Sequence, residues 1–197
     1  YPFNIFNNKN LNLGFDPKLH TENSLNRLFG SSFVKLKSIN ENLVDILWKR
    51  KKNSKVKYFY QIKDIDAGSK VEQKLSNLVK QIKFNEADYL FSTASENIAW
   101  LLNIRGEDTK YSPLPNAHAI INKTGKVLLF CNLKKISKSL KNKINKNVKI
   151  YDFSKLPNFI LNLSNNKIII DVLTCSIFYK SIVKKNNLIL EKQDPIY

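Results

Sequence analysis

The chain has 197 residues, 43% of them hydrophobic and 11% aromatic, with a formal net charge of +17. That length holds one large or two small domains, and the apolar content supports a packed core and excludes a disordered chain. No apolar run approaches the ~20 residues of a membrane span, and Tyr1-Pro2-Phe3-Asn4 lacks a basic-then-apolar signal pattern, so a soluble, cytoplasmic protein is expected.

In chain order, residues 1–12 are Asn-rich and read as a ragged start. Leu13 to Thr21 reads as a short strand, a turn at Asp16-Pro17 and a helix cap at Thr21. A helix with Leu25, Leu28 and Phe29 on one face follows, stopped by Gly30. Phe33 to Leu36 is a strand, and Asn42 to Trp48 a compact apolar turn. The basic run Lys49 to Lys57 reads as a solvated linker, and a domain boundary is placed near residue 60. Ser69 is expected to cap a helix carrying Val71, Leu75, Leu78, Val79 and Ile82, with Ser69 and Glu72 as a capping box. Asp88 to Ser92 is a strand. Ile98, Leu101, Leu102 and Arg105 then follow helical spacing, and Gly106 allows a backbone bend. A loop with two prolines, Tyr111 to Asn116, leads into Ala117–Ile121 and Val127–Cys131, joined as a hairpin by Asn122-Lys-Thr-Gly125. Ile136, Leu140 and Ile144 mark a helix, Val148 to Phe153 a strand, and Leu156, Phe159, Ile160 and Leu163 another helix. Lys167 to Val172 is a buried strand, Ile177, Phe178 and Ile182 mark the last helix, and Leu188 to Leu190 the last strand. This alternation predicts an α/β fold, a mixed sheet flanked by helices. Trp48 and Trp100 are expected as core anchors, and His118 as a surface or interface residue.

Arginine occurs only at 27, 50 and 105, so 30 of the 33 cations are lysines, spread along the whole chain. Nucleic-acid sites favour the flat, bidentate guanidinium. The charge therefore reads as solvated lysine faces, with an acidic protein partner as one alternative and nucleic-acid binding as the weakest. Cys131 and Cys175 sit in apolar settings and are expected to be buried, reduced thiols. The five glycines are never closer than 16 positions, which excludes the clustered-glycine phosphate loops. The only histidines, His20 and His118, cannot form a zinc helix with two His one turn apart. The acidic neighbours Asp64/Asp66 and Glu107/Asp108 read as turn and cap residues. No methionine occurs, not even at position 1, so the chain reads as cut from something longer or as shown without its start.

The stretch Ile98-Ala-Trp-Leu-Leu-Asn-Ile-Arg-Gly-Glu-Asp108, followed by Tyr111-Ser-Pro-Leu-Pro115, resembles the middle domain of aminopeptidase P, the Xaa-Pro aminopeptidase family of the creatinase/prolidase superfamily. Gly14-Phe-Asp-Pro-Lys-Leu-His-Thr21 and Asn42-Leu-Val-Asp-Ile-Leu-Trp48 resemble the end of that family's first domain. Where the family usually has Arg-Pro after the Trp, this chain has Lys49-Arg50. Gly68-Ser-Lys-Val-Glu-Gln-Lys-Leu75 is similar to the opening helix of the middle domain.

The resemblance implies two creatinase N-terminal-like units: residues 1–60, the C-terminal part of a first one with its linker, and residues 61–197, a second one. It also implies a parent metallopeptidase that removes an N-terminal residue preceding proline, using hydroxide activated by two divalent metals, usually manganese. Those metals belong to a pita-bread catalytic domain of which no stretch here is a copy. This segment is therefore expected to hold no catalytic residue and no metal. Its implied partners are its own catalytic domain and peptides with proline second; a homodimer stays open. By the same analogy Arg105, Asp108 and Tyr111 are candidates for the domain interface or the rim of the substrate cleft. Plainer roles stand beside these: a structural ion pair at the Gly106 bend for Arg105, and packing for Tyr111. The rival for the whole chain is a stand-alone, non-catalytic protein- or peptide-binding module of the same fold.

Overall fold

A computed structural model describes residues 11–48 and 56–196. The expected ragged start up to residue 10 and positions 49–55 of the basic run lie outside the described residues.

The N-terminal unit is a small parallel βαβ. Strands β1 (Asn12–Phe15) and β2 (Lys35–Ser38) pair in parallel, and helix α1 (Glu22–Phe29) supplies the crossover that parallel pairing requires. Thr21 caps α1 as read from sequence, in a reciprocal box with Ser24. Asn42 caps a short helix, α2 (Leu43–Leu47), through bonds to the Val44 and Asp45 amides. Leu43, Val44, Ile46 and Leu47 all face solvent, and Trp48 is 63% exposed. The expectation that Trp48 anchors a core fails, since its ring and the apolar side chains of α2 keep most of their surface open. The unit leans on the C-terminal helix, where the Ile177 and Phe178 amides donate to His20 and Pro17 carbonyls at 2.9 Å.

The rest is a three-layer sandwich. The described elements are β3 (Tyr60–Gln61), α3 (Asp64–Ala67), α4 (Val71–Phe84), β4 (Tyr89–Ser92), α5 (Ser95–Leu102), β5 (Ile104–Arg105), β6 (Ala117–Asn122), β7 (Val127–Cys131), α6 (Lys138–Lys143), β8 (Val148–Asp152), α7 (Leu156–Asn162), β9 (Lys167–Ile170), α8 (Ile177–Asn186) and β10 (Leu188–Glu191). Six strands form one mixed sheet in the order β10-β9-β4-β6-β7-β8. The antiparallel steps are β4–β6 and β6–β7; the other pairs are parallel.

Strand period two sorts the apolar residues onto two faces. Leu90, Ala119, Ile121, Leu129 and Ile169 face one core with Leu75, Leu78, Ile98 and Leu101 from α4 and α5. Their neighbours Phe91, Ile120, Leu128, Phe130, Ile168 and Ile170 face the other with Ile160, Ile182 and Val183 from α7 and α8. Phe59 is buried in the first core. Both cysteines are buried and free, and burial pushes both thiols up to about 12, so they are inert.

Between the ends of β4 and β9 the polypeptide closes on itself. Ser92 Oγ donates to Asp194 Oδ2 at 2.5 Å, and the Asp194 amide donates to Asp171 Oδ2 at 3.0 Å. The Ile196 amide returns to Asp194 Oδ1 at 3.0 Å, and Ile196 itself is buried.

Two expectations change here. The Ser69 cap does not form. Lys70 takes the cap position with no side-chain bond, while Ser69 Oγ donates to Gln73 Oε1 at 3.3 Å. His118 is half-buried, set against an aromatic cluster rather than displayed on an open surface. It packs edge-on to Phe91, Phe153 and Tyr179, with ring centroids 6.0, 4.9 and 5.3 Å away. Burial pushes its pKa down to about 4, although its Nδ1 donates to the Ala117 carbonyl. Between about pH 6.5 and pH 4 the unfolded chain binds this proton and the folded chain does not, so stability falls as the pH drops through that window. Urea titrations should show wild type losing about 2 kcal/mol more than His118→Phe between pH 7 and pH 5. Equal losses in the two proteins would contradict a buried neutral imidazole.

Candidate functional site

The site is built at the C-terminal end of α5. A helix end leaves four carbonyls without intrahelical partners. Here the chain turns at Asn103, which adopts a left-handed conformation (φ 53°); its amide donates to the Ala99 and Trp100 carbonyls, and cations from outside the helix add further donors to both. Arg105 Nη1 donates to the Ala99 and Ile104 carbonyls, each at 2.9 Å. Lys74 Nζ, reaching over from α4, donates to the Trp100 carbonyl and to Asn103 Oδ1, each at 2.7 Å. The same ammonium lies 4.2 Å from the Trp100 ring centroid. Asn103 Nδ2 donates to Asp64 Oδ1 and the Ser69 carbonyl, which ties α3 and the start of α4 to the same point.

Lys74 is 3% exposed, and its pKa is pushed down, first by burial and then by the nearby Arg105 charge, with Asp64 opposing. The sequence reading did not single out Lys74, Asn103 or Asp64 as parts of one network. A signal existed in two of them. Lys74 falls among Val71, Leu75 and Leu78 on the apolar stripe of α4, and Asn directly after an apolar helical run fits a left-handed cap.

Gly106 follows. Its backbone needs no positive φ; the reason for glycine is space. A Cβ there would lie 2.8 Å from Pro115 Cα and 2.9 Å from the Phe59 ring. The Gly106 amide donates to the Pro113 carbonyl at 3.2 Å, and the Asp108 amide to Leu114 at 3.3 Å. Asp108 Oδ2 accepts from the Asn116 amide at 2.7 Å, and Oδ1 pairs with Lys135. Residues 106–116 therefore form a loop pinned at its base, with Tyr111 at its tip, 87% exposed. Glu107 pairs with Lys57 on the surface, a contact that water screens.

Of the three candidates, Asp108 and Tyr111 line one shallow pocket of ≈ 560 Å³ with Lys57, Glu107 and Thr109. Arg105 does not join them; its guanidinium is turned back onto α5. Asp108 is engaged on both oxygens, so it shapes the loop. Tyr111 is the member presented outward, with Lys110 Nζ 5.0 Å from its ring centroid. Trp100 is not the core anchor expected from sequence. It is 45% exposed and walls a second, larger cleft of ≈ 790 Å³.

Among the described residues no three His, Cys, Asp or Glu side chains gather as a metal centre requires. These residues do not fit a two-metal site. No helix among them is long and apolar enough to cross a membrane.

Comparison with known proteins gives a consistent picture. Residues 49–197 match the family model described as the creatinase/prolidase N-terminal domain. A protein called probable Xaa-Pro aminopeptidase P, from Blastomyces gilchristii, is 36% identical over 117 residues, 57% of this chain and 19% of that protein. Aminopeptidase P1 of Lotus japonicus is 29% identical over 142 residues, 71% of this chain and 21% of that protein. The chain thus spans about a fifth of the length of these curated relatives. Among solved structures, the X-prolyl aminopeptidase of Caenorhabditis elegans, described as a cytosolic enzyme with a di-nuclear active site, superposes with a TM-score of 0.77. The match covers 95% of this chain and 32% of that one at 22% identity, which shows the fold.

Two substitutions test the site's construction. Gly106→Ala should cost about 1–3 kcal/mol in urea unfolding, because Pro115 or Phe59 must move. Lys74→Met should cost about 2 kcal/mol, because it leaves Asn103 Oδ1 without its donor and the Trp100 carbonyl with only the long 3.4 Å bond from the Asn103 amide. Unchanged midpoints would contradict this account of the loop base.

Proposed function

The chain belongs to the creatinase/prolidase N-terminal domain family, and from that membership we propose that it is the non-catalytic N-terminal and middle region of a Xaa-Pro aminopeptidase. In this reading residues 1–60 are the end of a first creatinase N-terminal-like domain, and residues 61–197 are a second one. The catalytic domain follows in the longer polypeptide and carries the two divalent metals, manganese by family habit. The observation that carries the reading is the family match over 49–197, together with relatives that are Xaa-Pro aminopeptidases about three times as long.

The role proposed for this region is to position the catalytic domain and to shape access to its cleft. Loop 106–116 is the part suited to that task. Its base is held by Arg105 behind it and Asp108 within it, and Tyr111 stands out from a fixed support rather than a mobile one. The partners in this reading are the catalytic domain and peptides with proline in second place, in a cytoplasmic enzyme.

The experiment is to express the longer polypeptide and assay it on a peptide with proline second. Hydrolysis that is lost with EDTA and regained with Mn²⁺, and absent from the 197-residue chain alone, is the expected result. Tyr111→Ala in the longer protein should lower kcat/KM about tenfold, while stability stays within about 0.5 kcal/mol. A longer protein inactive on such peptides with metal supplied sinks the reading. Full activity in the Tyr111→Ala protein removes the loop from the cleft.

A further inference from the structure

The cleft walled by Trp100 lies apart from the loop pocket and is lined by Asn77, Leu78 and Gln81 of α4, Glu96, Asn97 and Leu101 of α5, and the tail residues Pro195 and Ile196. Its polar members sit one helical turn apart: Asn77 with Gln81, and Glu96 with Trp100. Asn97 is 7% exposed, yet no hydrogen bond among the described residues reaches its amide. Every fully enclosed side-chain nitrogen or oxygen has a partner. The small surface Asn97 retains therefore includes its unpaired amide atoms, and these are what it offers to the cleft. Desolvating an amide this far without a bond is costly unless something in the cleft supplies one. Asn77, Gln81 and Glu96 likewise make no side-chain hydrogen bond or ion pair among the described residues.

We propose that this cleft binds an extended peptide segment with an apolar residue followed by a basic one. A carboxamide offers one acceptor and two donors, the complement of a backbone peptide unit. Asn97 and Gln81 can each take one. Leu78, Leu101 and Ile196 form an apolar floor, and the open side of the Trp100 ring adds flat apolar area for the first side chain. Glu96 is the one carboxylate in the lining, and it is free. The single cation there, Lys74, is already engaged with the Trp100 carbonyl and Asn103. A site with a free carboxylate and no free cation selects a basic side chain and rejects phosphate, although the chain as a whole carries +17. At ≈ 790 Å³ the cleft falls in the range of ligand sites.

The test uses Trp48→Phe protein, in which Trp100 is the sole tryptophan. It is titrated with the blocked peptide acetyl-Ala-Leu-Lys-Ala-amide and with the same peptide carrying Glu for Lys. A saturable change in Trp100 emission, half complete below about 1 mM for the lysine peptide and at least about fivefold weaker for the glutamate one, is expected. Asn97→Leu should weaken binding about tenfold, and Glu96→Gln, at an exposed position, should erase the Lys-over-Glu preference. No saturable change up to about 5 mM, or unaltered binding by both variants, overturns the site. A signal that depends on protein concentration and not on peptide also overturns it, in favour of a second copy of the chain. The measurement needs no catalytic domain, so its failure leaves the peptidase reading standing.

Discussion

Two cations at one helix end hold this molecule's functional half together. The Ala99 and Trp100 carbonyls at the end of α5 accept from the Asn103 amide, and Lys74 and Arg105 add charged donors from α4 and β5. The interaction is charge-assisted and sits at the negative end of the helix dipole. It also sets geometry. Asn103 can turn left-handed because its amide is met on three sides, by Lys74, Asp64 and the Ser69 carbonyl. With that turn fixed, Gly106 passes under Pro115 and loop 106–116 leaves the sheet in one direction. The same two cations carry strain: each sits in the other's field, and Lys74 is desolvated as well. Asp64 is the counter-charge that offsets this, which explains a carboxylate at the start of a helix only four residues long.

Much of the second unit was legible in the sequence, because the signals there are redundant. Val127 to Cys131 and Ala117 to Ile121 read as strands from β-rich composition, and the Asn122–Gly125 turn forced them into a hairpin; Gly125 does adopt positive φ. The helices with three or four apolar residues at helical spacing all form, with ends shifted by a residue or two, except that Arg105, read in helical spacing with Ile98 to Leu102, lies past the end of α5 in β5. What sequence did not reveal depends on contacts across the chain. Ser69 has the right chemistry for a cap, but its carbonyl is needed by Asn103, and the helix starts beyond it. His118 lies between two inward alanines, so strand alternation sends it to the opposite side. That side is a second core, not solvent, because α7 and α8 cover it. The readings of Trp48 and Trp100 failed for one reason: indole size predicts burial only where a partner surface exists, and neither ring has a complete one here.

The site was legible in part. The stretch from Ile98 to Pro115 holds all three candidates, and of them Tyr111 is the one displayed to solvent. For Arg105 the sequence leaves an interface role and a structural one side by side; the guanidinium bonds the Ala99 and Ile104 carbonyls, close to the structural role but through carbonyls rather than an ion pair. Lys74 was hidden by its type, because one lysine of 30 carries no information until its surroundings are known. Lysine excess also obscures the Trp100 cleft, the lining of which is neutral to acidic.

The tail closure has a mechanical consequence. Residues 194–196 are not laid over the surface; they are tied by Asp194 and Asp171 to the ends of β4 and β9, two strands well inside the sheet. The edge strand β10 therefore does not run straight out into solvent: the chain that leaves it is fastened again to β9 and β4, so a load arriving at Ile196 meets the Asp194 and Asp171 bonds before it reaches the sheet's edge.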